Sequence, residues 1–403
     1  LRALRAQRIV TCDPERDGPL GVIEDGAIVH DAGAIVFVGA AADAPTGCEL
    51  VDMGDVVVTP GLVDAHTHAC WAGSRHGEYA VRMAGGDYRA IAAAGGGIAA
   101  SHRAVAAATE DELTRTLEAR LARMAALGVT SVEVKSGYGL EPEHEMKQLA
   151  AITRAAHRAD GPFVVATYLA LHALPERSRT RRAEYVAHVA TSMVPEVAKR
   201  KLAKFVDAYV DENAFTVAEA RLVGESARSL GLGVRLHVGQ FADVGGAQLC
   251  ADLGARSADH LEHLDDSGAA RLGAAGTHAV LLPSASFTLG QSPPPIALLR
   301  AHRVPLVVAS DANPGTAPTE SLPLAMAFAV RLYGLSPDEA IVAATRSAAA
   351  SLDLPDRGVL RVGARADLVV WDLPHEHAIV QPWGVSRARE VTRDGVVLYR
   401  TAT

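Results

Sequence analysis

The chain has 403 residues, 49% of them hydrophobic and 21% charged, with a net charge of −8 at neutral pH. That length exceeds one small domain and suits a large barrel with a smaller companion. No basic block marks a nucleic-acid partner, and no apolar run is long enough to span a bilayer. Aromatic residues are only 4% of the chain, so its core must be built from Ala, Val and Leu. Four cysteines, Cys12, Cys48, Cys70 and Cys250, form no C-x-x-C pair, which argues against a disulfide framework and fits a reducing cytoplasm. The sequence begins at Leu1, so a few residues are expected ahead of it, and no apolar signal core follows.

In chain order, the apolar runs 27–29 and 34–38 read as short strands bounded by glycines, with Asp31-Ala32-Gly33 as a hairpin turn. From about Val56 the pattern changes. The run 56–58 reads as a buried strand, and strands then alternate with Ala-rich helical stretches. Strands are predicted at 131–134, 163–167, 234–237, 279–282 and 306–309. Helices are predicted at 110–127, 142–157, 217–230 and 337–350. The cluster Arg177, Arg179, Arg181 and Arg182 reads as a solvated loop or helix start. Strand and helix alternating at this spacing imply about eight parallel βα units. They predict an α/β fold, a (β/α)8 TIM-like barrel with its active site at the C-terminal ends of the strands. An open doubly wound sheet is the alternative, but no G-x-G-x-x-G opens a helix after a strand. The chain returns to β structure at 366–371 and in a hairpin over 390–398 with Asp394-Gly395 at its turn. The expected division is residues 1–56 and 353–403 forming one small β-sandwich domain from both chain ends, with the barrel, 57–352, inserted between them.

The strongest chemical signal is Pro60-Gly61-Leu62-Val63-Asp64-Ala65-His66-Thr67-His68. Two histidines at i and i+2 share one face of a strand, so both imidazoles can reach one metal at its C-terminal end. His237 ends the run 234–236, His260 follows Ser257-Ala258-Asp259, and Asp311 ends the run 306–310. Singly, each could be a core histidine or a helix-capping aspartate. Jointly, all lie at or near strand ends, which packing alone does not require. Three neutral imidazoles and one carboxylate, His66, His68, His237 and Asp311, suit one Zn or Fe ion, and the sequence does not choose between them.

This order of H-x-H, His, His and Asp resembles the amidohydrolase superfamily. Four further motifs resemble the imidazolonepropionase family within it. They are Gly73-Ser74-Arg75-His76-Gly77-Glu78-Tyr79, Ile91-Ala92-Ala93-Ala94-Gly95-Gly96-Gly97-Ile98, Val132-Glu133-Val134-Lys135-Ser136-Gly137-Tyr138-Gly139-Leu140 and Ser310-Asp311-Ala312-Asn313-Pro314-Gly315-Thr316. The resemblance implies a cytoplasmic, metal-dependent hydrolase of histidine degradation, acting on a small molecule and not on nucleic acid or membrane, and it leaves a homodimer open. Its substrate would be 4-imidazolone-5-propanoate, opened at the cyclic amide C–N bond to N-formimidoyl-L-glutamate by a metal-activated water. Asp311 would be ligand and proton carrier, and His260 would orient the attacking water or stabilise the oxyanion. Arg75 would pair with the propionate, while Tyr138, His172 and Gln240 would contact the ring. Asn313, Gly315 and Thr316 would offer turn polar groups to substrate or product. Glu133 and Lys135 alternate on their strand and are expected to pair inside the barrel.

Two features depart from the family pattern. Gly239 replaces a usual acidic residue, and Ser284-Ala285-Ser286-Phe287 replaces a segment expected to be rich in aromatics. Gln240 stands where relatives carry Gln or Glu, and Gln cannot take a proton. Two other functions fit less well. A related amidohydrolase deaminating a purine- or pyrimidine-like ring would need a carboxylate at position 240 to shuttle protons, and Gln240 and Arg75 argue against it. A non-catalytic metal-binding barrel would not need so complete a set of ligands.

Overall fold

The computed structural model describes residues 2–86 and 96–401. Two eight-stranded sheets organise them. The first is built from both chain ends. It contains β1 (Arg2–Val10), β2 (Val22–Asp31), β3 (Ala34–Ala40), β4 (Val51–Asp52), β5 (Val57–Pro60), β14 (Leu368–Trp371), β15 (Ala388–Arg393) and β16 (Val396–Arg400). Its order is β16-β15-β14-β5-β1-β2-β3, with β4 pairing β1. Both expected hairpins are present. Ala32 and Gly33, and then Asp394 and Gly395, hold the positive φ angles of tight turns. The sheet curls until these two turns meet, so that a Cβ on Gly33 would lie 2.9 Å from the Asp394 carbonyl oxygen. Inside the curl, Ile9, Ile28, Ile35, Val58, Leu360 and Val370 form a compact apolar core.

The second sheet is parallel throughout and runs β6 (Leu62–Asp64), β7 (Val129–Lys135), β8 (Phe163–Leu171), β9 (Phe205–Val210), β10 (Gly233–Val238), β11 (Ser257–His260), β12 (His278–Leu281) and β13 (Leu306–Val308) in sequence order. Helices such as Glu110–Ala125, Pro142–Ala156 and Val217–Ser229 follow its strands. Two of them start at the T-x-x-E signature. Thr109 with Glu112 and Thr216 with Glu219 each form a reciprocal capping box. Beyond the regular strands the barrel closes on itself. The Ser310 amide and hydroxyl both donate to the Asp64 carboxylate, the Asp311 amide donates to the His66 carbonyl, and the His68 amide to the Ala312 carbonyl. This seam sets Asp311 beside the H-x-H pair. It is an α/β barrel carrying a separate terminal sheet, as the sequence predicts.

The structure departs from the sequence reading in two places. The run 56–58, read as opening the barrel, pairs with β1 and β14 in the terminal sheet, and the crossing to the barrel occurs at Gly61. Only glycine fits there, because a Cβ would lie 2.0 Å from the Thr130 hydroxyl. The helix expected over 337–350 is two, Pro337–Ala343 and Arg346–Ser351. The break falls at Thr345, whose hydroxyl donates back to the Ile341 carbonyl, competing with continued helix.

The barrel interior is not wholly apolar. Lys135, fully buried, donates to Glu133 (2.9 Å) and to Asp207 on β9 (2.8 Å), and lies 3.8 Å from Asp259 on β11. Arg235 of β10 lies within 4.0 Å of Glu133 and 3.8 Å of Asp259, and donates to the Ser351 and Ala65 carbonyls. Three carboxylates and two cations thus face one another away from water. Removing one cation strands buried carboxylates, a loss of about 3–5 kcal/mol. Lys135→Met is therefore expected to lower the thermal unfolding midpoint sharply. A parent-like midpoint would contradict this role.

Candidate active site

The ion cluster sits directly beneath the histidines. His66 Nδ1 lies 2.6 Å from Asp259, and His237 Nδ1 lies 3.0 Å from Asp207. An ionised carboxylate only accepts, so each Nδ1 carries the ring proton and each Nε2 keeps its lone pair. Thr67, between the two histidines of the pair, donates from its amide to Glu133 and from its hydroxyl to the Glu133 carbonyl, locking the segment onto β7. In the sequence reading, Asp207 and Asp259 have no assigned role. The signal available was a single Asp inside each of the short strands Phe205–Val210 and Ser257–His260.

The imidazole nitrogens converge. His68 and His237 bring their Nε2 atoms to 3.4 Å, and ligand atoms of His66, His68 and His237 all lie within 4.8 Å of one another. Asp311 Oδ1 is 3.6 Å from His66 Nε2 and 3.5 Å from His68 Nε2. His66 Nε2 and Asp311 Oδ1 are buried without a hydrogen-bond partner. Burial, Lys135 and the neighbouring rings hold His66 and His237 well below the usual histidine range. Burial and the nearby His172 and His237 rings do the same for His68. These are neutral imidazoles with free lone pairs, the form that binds metal. Burial also pushes the Asp311 carboxyl up to about 7.

His260 stands beside this group, its ring centroid 5.5 Å from that of His237. Burial disfavours its charge, but Glu262, Asp311 and Asp259 outweigh burial and raise it above the ordinary value. His260, Leu261 and Asp311 all have positive φ, 84°, 74° and 55°. Non-glycine residues pay for that conformation, and such strain gathers at functional sites.

A cavity of about 790 Å³ opens above the histidines. His68, His237, His260 and Asp311 form its floor, and Arg75, Tyr138, His172, Gln240, Asn313 and Thr316 line its walls. The His172 ring stacks on His68 at 5.3 Å, and its Nδ1 bonds the Gly137 carbonyl at 2.8 Å, leaving Nε2 as the second ring nitrogen. Burial draws His172 down to about 4. Tyr138 rides a loop whose amides are held by two buried side chains. Glu145 accepts from Gly137 and Leu140, and Gln148 accepts from Tyr138 and Gly139. Gln240 accepts from the Tyr209 hydroxyl at 3.0 Å, so its amide is a hydrogen-bonding wall.

Arg75 is buried and is fixed by Glu78 at 2.8–2.9 Å, while Glu78 also accepts from the Gly97 amide. Residues 91–95 of the glycine-rich motif lie outside the described residues. Asn313 spends its side chain on its own turn, accepting from the Gly315 and Thr316 amides and donating to the Asp311 carbonyl. Gly315 is not among the cavity-lining residues. A Cβ there would lie 2.2 Å from the Arg75 guanidinium, so its contribution is to let that group approach. The arginine cluster at 177–182 is mostly the solvated helix start expected. Arg182 differs, since it pairs with Glu219, packs over Phe215 and reaches the cavity.

The model for the amidohydrolase family matches residues 57–399. An imidazolonepropionase from Mesorhizobium japonicum is 43% identical over 391 residues, covering 95% of each chain. One from Cupriavidus pinatubonensis is 44% identical over 388 residues, covering 95% of this chain and 90% of its own. Among solved structures, a zinc-complexed atrazine chlorohydrolase from Arthrobacter aurescens superposes with a TM-score of 0.72 at 16% identity, covering 99% of this chain and 95% of its own. An adenosine deaminase from Xanthomonas campestris with bound zinc gives 0.70 at 20%, covering 98% and 92%. At those identities the likeness concerns the fold. The barrel, its histidine-lined floor and the near full-length relatives agree: the chain belongs to the amidohydrolase family, among the imidazolonepropionases.

Proposed function

We propose that this chain hydrolyses 4-imidazolone-5-propanoate to N-formimidoyl-L-glutamate, and that His66, His68, His237 and Asp311 hold one transition-metal ion, Zn or Fe, for the reaction. The observation that carries the reading is the convergence of neutral imidazole lone pairs and an unpartnered carboxylate oxygen on the floor of a cavity that also holds a buried arginine. A bound ion supplies Lewis acidity and an acidified water. The residues themselves account for the rest. Asp311 can accept a proton from the attacking water at its carboxylate and return it to the ring nitrogen that leaves. His260, more readily protonated than an ordinary histidine, offers an N–H to the oxygen that gains charge as water adds to the ring carbonyl. Water adds to carbon, the C–N bond breaks, and the nitrogen keeps the proton. His172 and Tyr138 flank the place for a flat ring, and Gln240 supplies an amide to hydrogen-bond it. The absence of a carboxylate at 240 weighs against deamination.

Purified protein is expected to contain about one Zn or Fe per chain and to discharge the ultraviolet absorbance of freshly prepared imidazolone propionate. Chelation should abolish that activity. Metal-loaded protein that leaves the absorbance unchanged would refute the proposal.

Arg75 is the proposed partner of the propionate tail. Its plane is set by Glu78 and its approach by Gly315. A charge-assisted fork to that carboxylate contributes on the order of 2–4 kcal/mol, so Arg75→Ala should lose roughly 30- to 1,000-fold in kcat/KM, mainly through KM. Arg75→Lys should recover only part, because an ammonium lacks the fork. An analogue with an uncharged amide tail should be far less sensitive to the substitution. Equal losses on both compounds would make Arg75 purely structural.

A further inference from the structure

Three side chains outside the floor of the site form a buried line that ends on His260. Tyr333, the last residue of the helix Leu322–Tyr333, meets Ser286 of the helix Pro283–Leu289 at 2.5 Å. Ser286 donates its one proton to Glu262 Oε1 at 2.7 Å, so the Tyr333 hydroxyl donates to Ser286. The other Glu262 oxygen, Oε2, lies 3.7 Å from His260 Nδ1. Both of these atoms are buried without a hydrogen-bond partner. Two unsatisfied groups of complementary character, facing each other in a water-poor site, are separated by little more than a hydrogen-bond length. His260, Ser286 and Tyr333 are all buried, and the Glu262 side chain is 2% exposed. The three partners come from the connections after β11, β12 and β13, and the left-handed backbone at His260 and Leu261 brings Glu262 beside the ring.

A glutamate buried this way needs a use. A buried carboxylate is costly unless its oxygens are hydrogen-bonded, and the Ser286 hydroxyl, itself held by Tyr333, satisfies only one of them. We infer that Glu262 is the positioning residue for His260, fixing the ring with Nδ1–H toward Oε2 and Nε2 toward the cavity, and that Ser286 and Tyr333 hold Glu262 in that pose. A histidine whose Nδ1–H is held by a carboxylate keeps one orientation, and in its doubly protonated form that orientation turns Nε2–H toward a developing oxyanion. Ser286 thus has a use in the segment where the sequence departs from the aromatic-rich pattern of the family. The inference rests on the proposed role of His260 in the reaction.

The test compares parent, His260→Ala, Glu262→Ala, Ser286→Ala and the double variant Glu262→Ala with His260→Ala, reading kcat, KM and bound metal separately. Glu262→Ala is expected to lower kcat roughly 10- to 100-fold with KM and metal content unchanged. Ser286→Ala should give a smaller loss in the same parameter. In the His260→Ala background, Glu262→Ala should cost nothing further, because its effect passes through the ring. Glu262→Gln keeps the volume and an acceptor and covers the case of a poorly folded alanine variant. It should show a smaller kcat loss that also vanishes without His260. Losses that multiply in the double variant, or parent-like kcat for both Glu262 variants while His260→Ala is slow, would overturn the role of Glu262 and leave that of His260 standing. Parent-like kcat for His260→Ala would instead overturn the assignment of His260 to the reaction, and this inference with it.

Discussion

One buried ammonium organises the site. Lys135 lies between Glu133, Asp207 and Asp259, carboxylates from three different strands. Buried acids are costly unless matched by a cation, and the ammonium lies against all three. With it, Asp207 and Asp259 are available as acceptors for His237 and His66. Glu133 also receives the Thr67 amide. The cation thus acts at one remove. It gathers the carboxylates, Asp259 and Asp207 accept from the Nδ1 atoms of His66 and His237, and the Nε2 atoms are left to converge.

The backbone does the complementary work. Closure of the barrel through Asp311, Ala312, His66 and His68 sets a carboxylate from the last strand against imidazoles from the first. Positive φ at His260, Leu261 and Asp311 shows how tightly these strand ends are held, since non-glycine residues adopt that region at a cost. Above the floor the same logic repeats with neutral groups. Glu145 and Gln148 gather the amides of the Tyr138 loop, and Gly315 yields space to Arg75. Among the described residues, no helix is long and apolar enough to cross a membrane.

Much of this was readable in the sequence, for a physical reason. Strand ends in a parallel barrel converge, so His66, His68, His237, His260 and Asp311 could be brought together from their strand positions alone. The Glu133–Lys135 pair was legible because alternation on one strand is a local fact. Partners that depend on distant strands were not. His66 and Asp259 are 193 positions apart, and a lone Asp in a four-residue strand looks the same whether it faces the lumen or caps a helix. Glu262, Ser286 and Tyr333 were hidden for the same reason. The break at Thr345 was invisible because the Ala-rich pattern continues across it. The 56–58 run was misplaced because a buried strand of three valines carries no sign of which sheet it joins.

The central claim is that water adds to the ring carbonyl on this floor, with the ion its residues are proposed to hold. Running the metal-loaded protein on imidazolone propionate in ¹⁸O-enriched water and weighing the product tests it most directly. The account predicts N-formimidoyl-glutamate carrying one heavy oxygen, in the carboxylate newly released from the ring, and no product from the chelated protein. Unlabelled product, loss of ammonia with the ring intact, or equal turnover after chelation would contradict it.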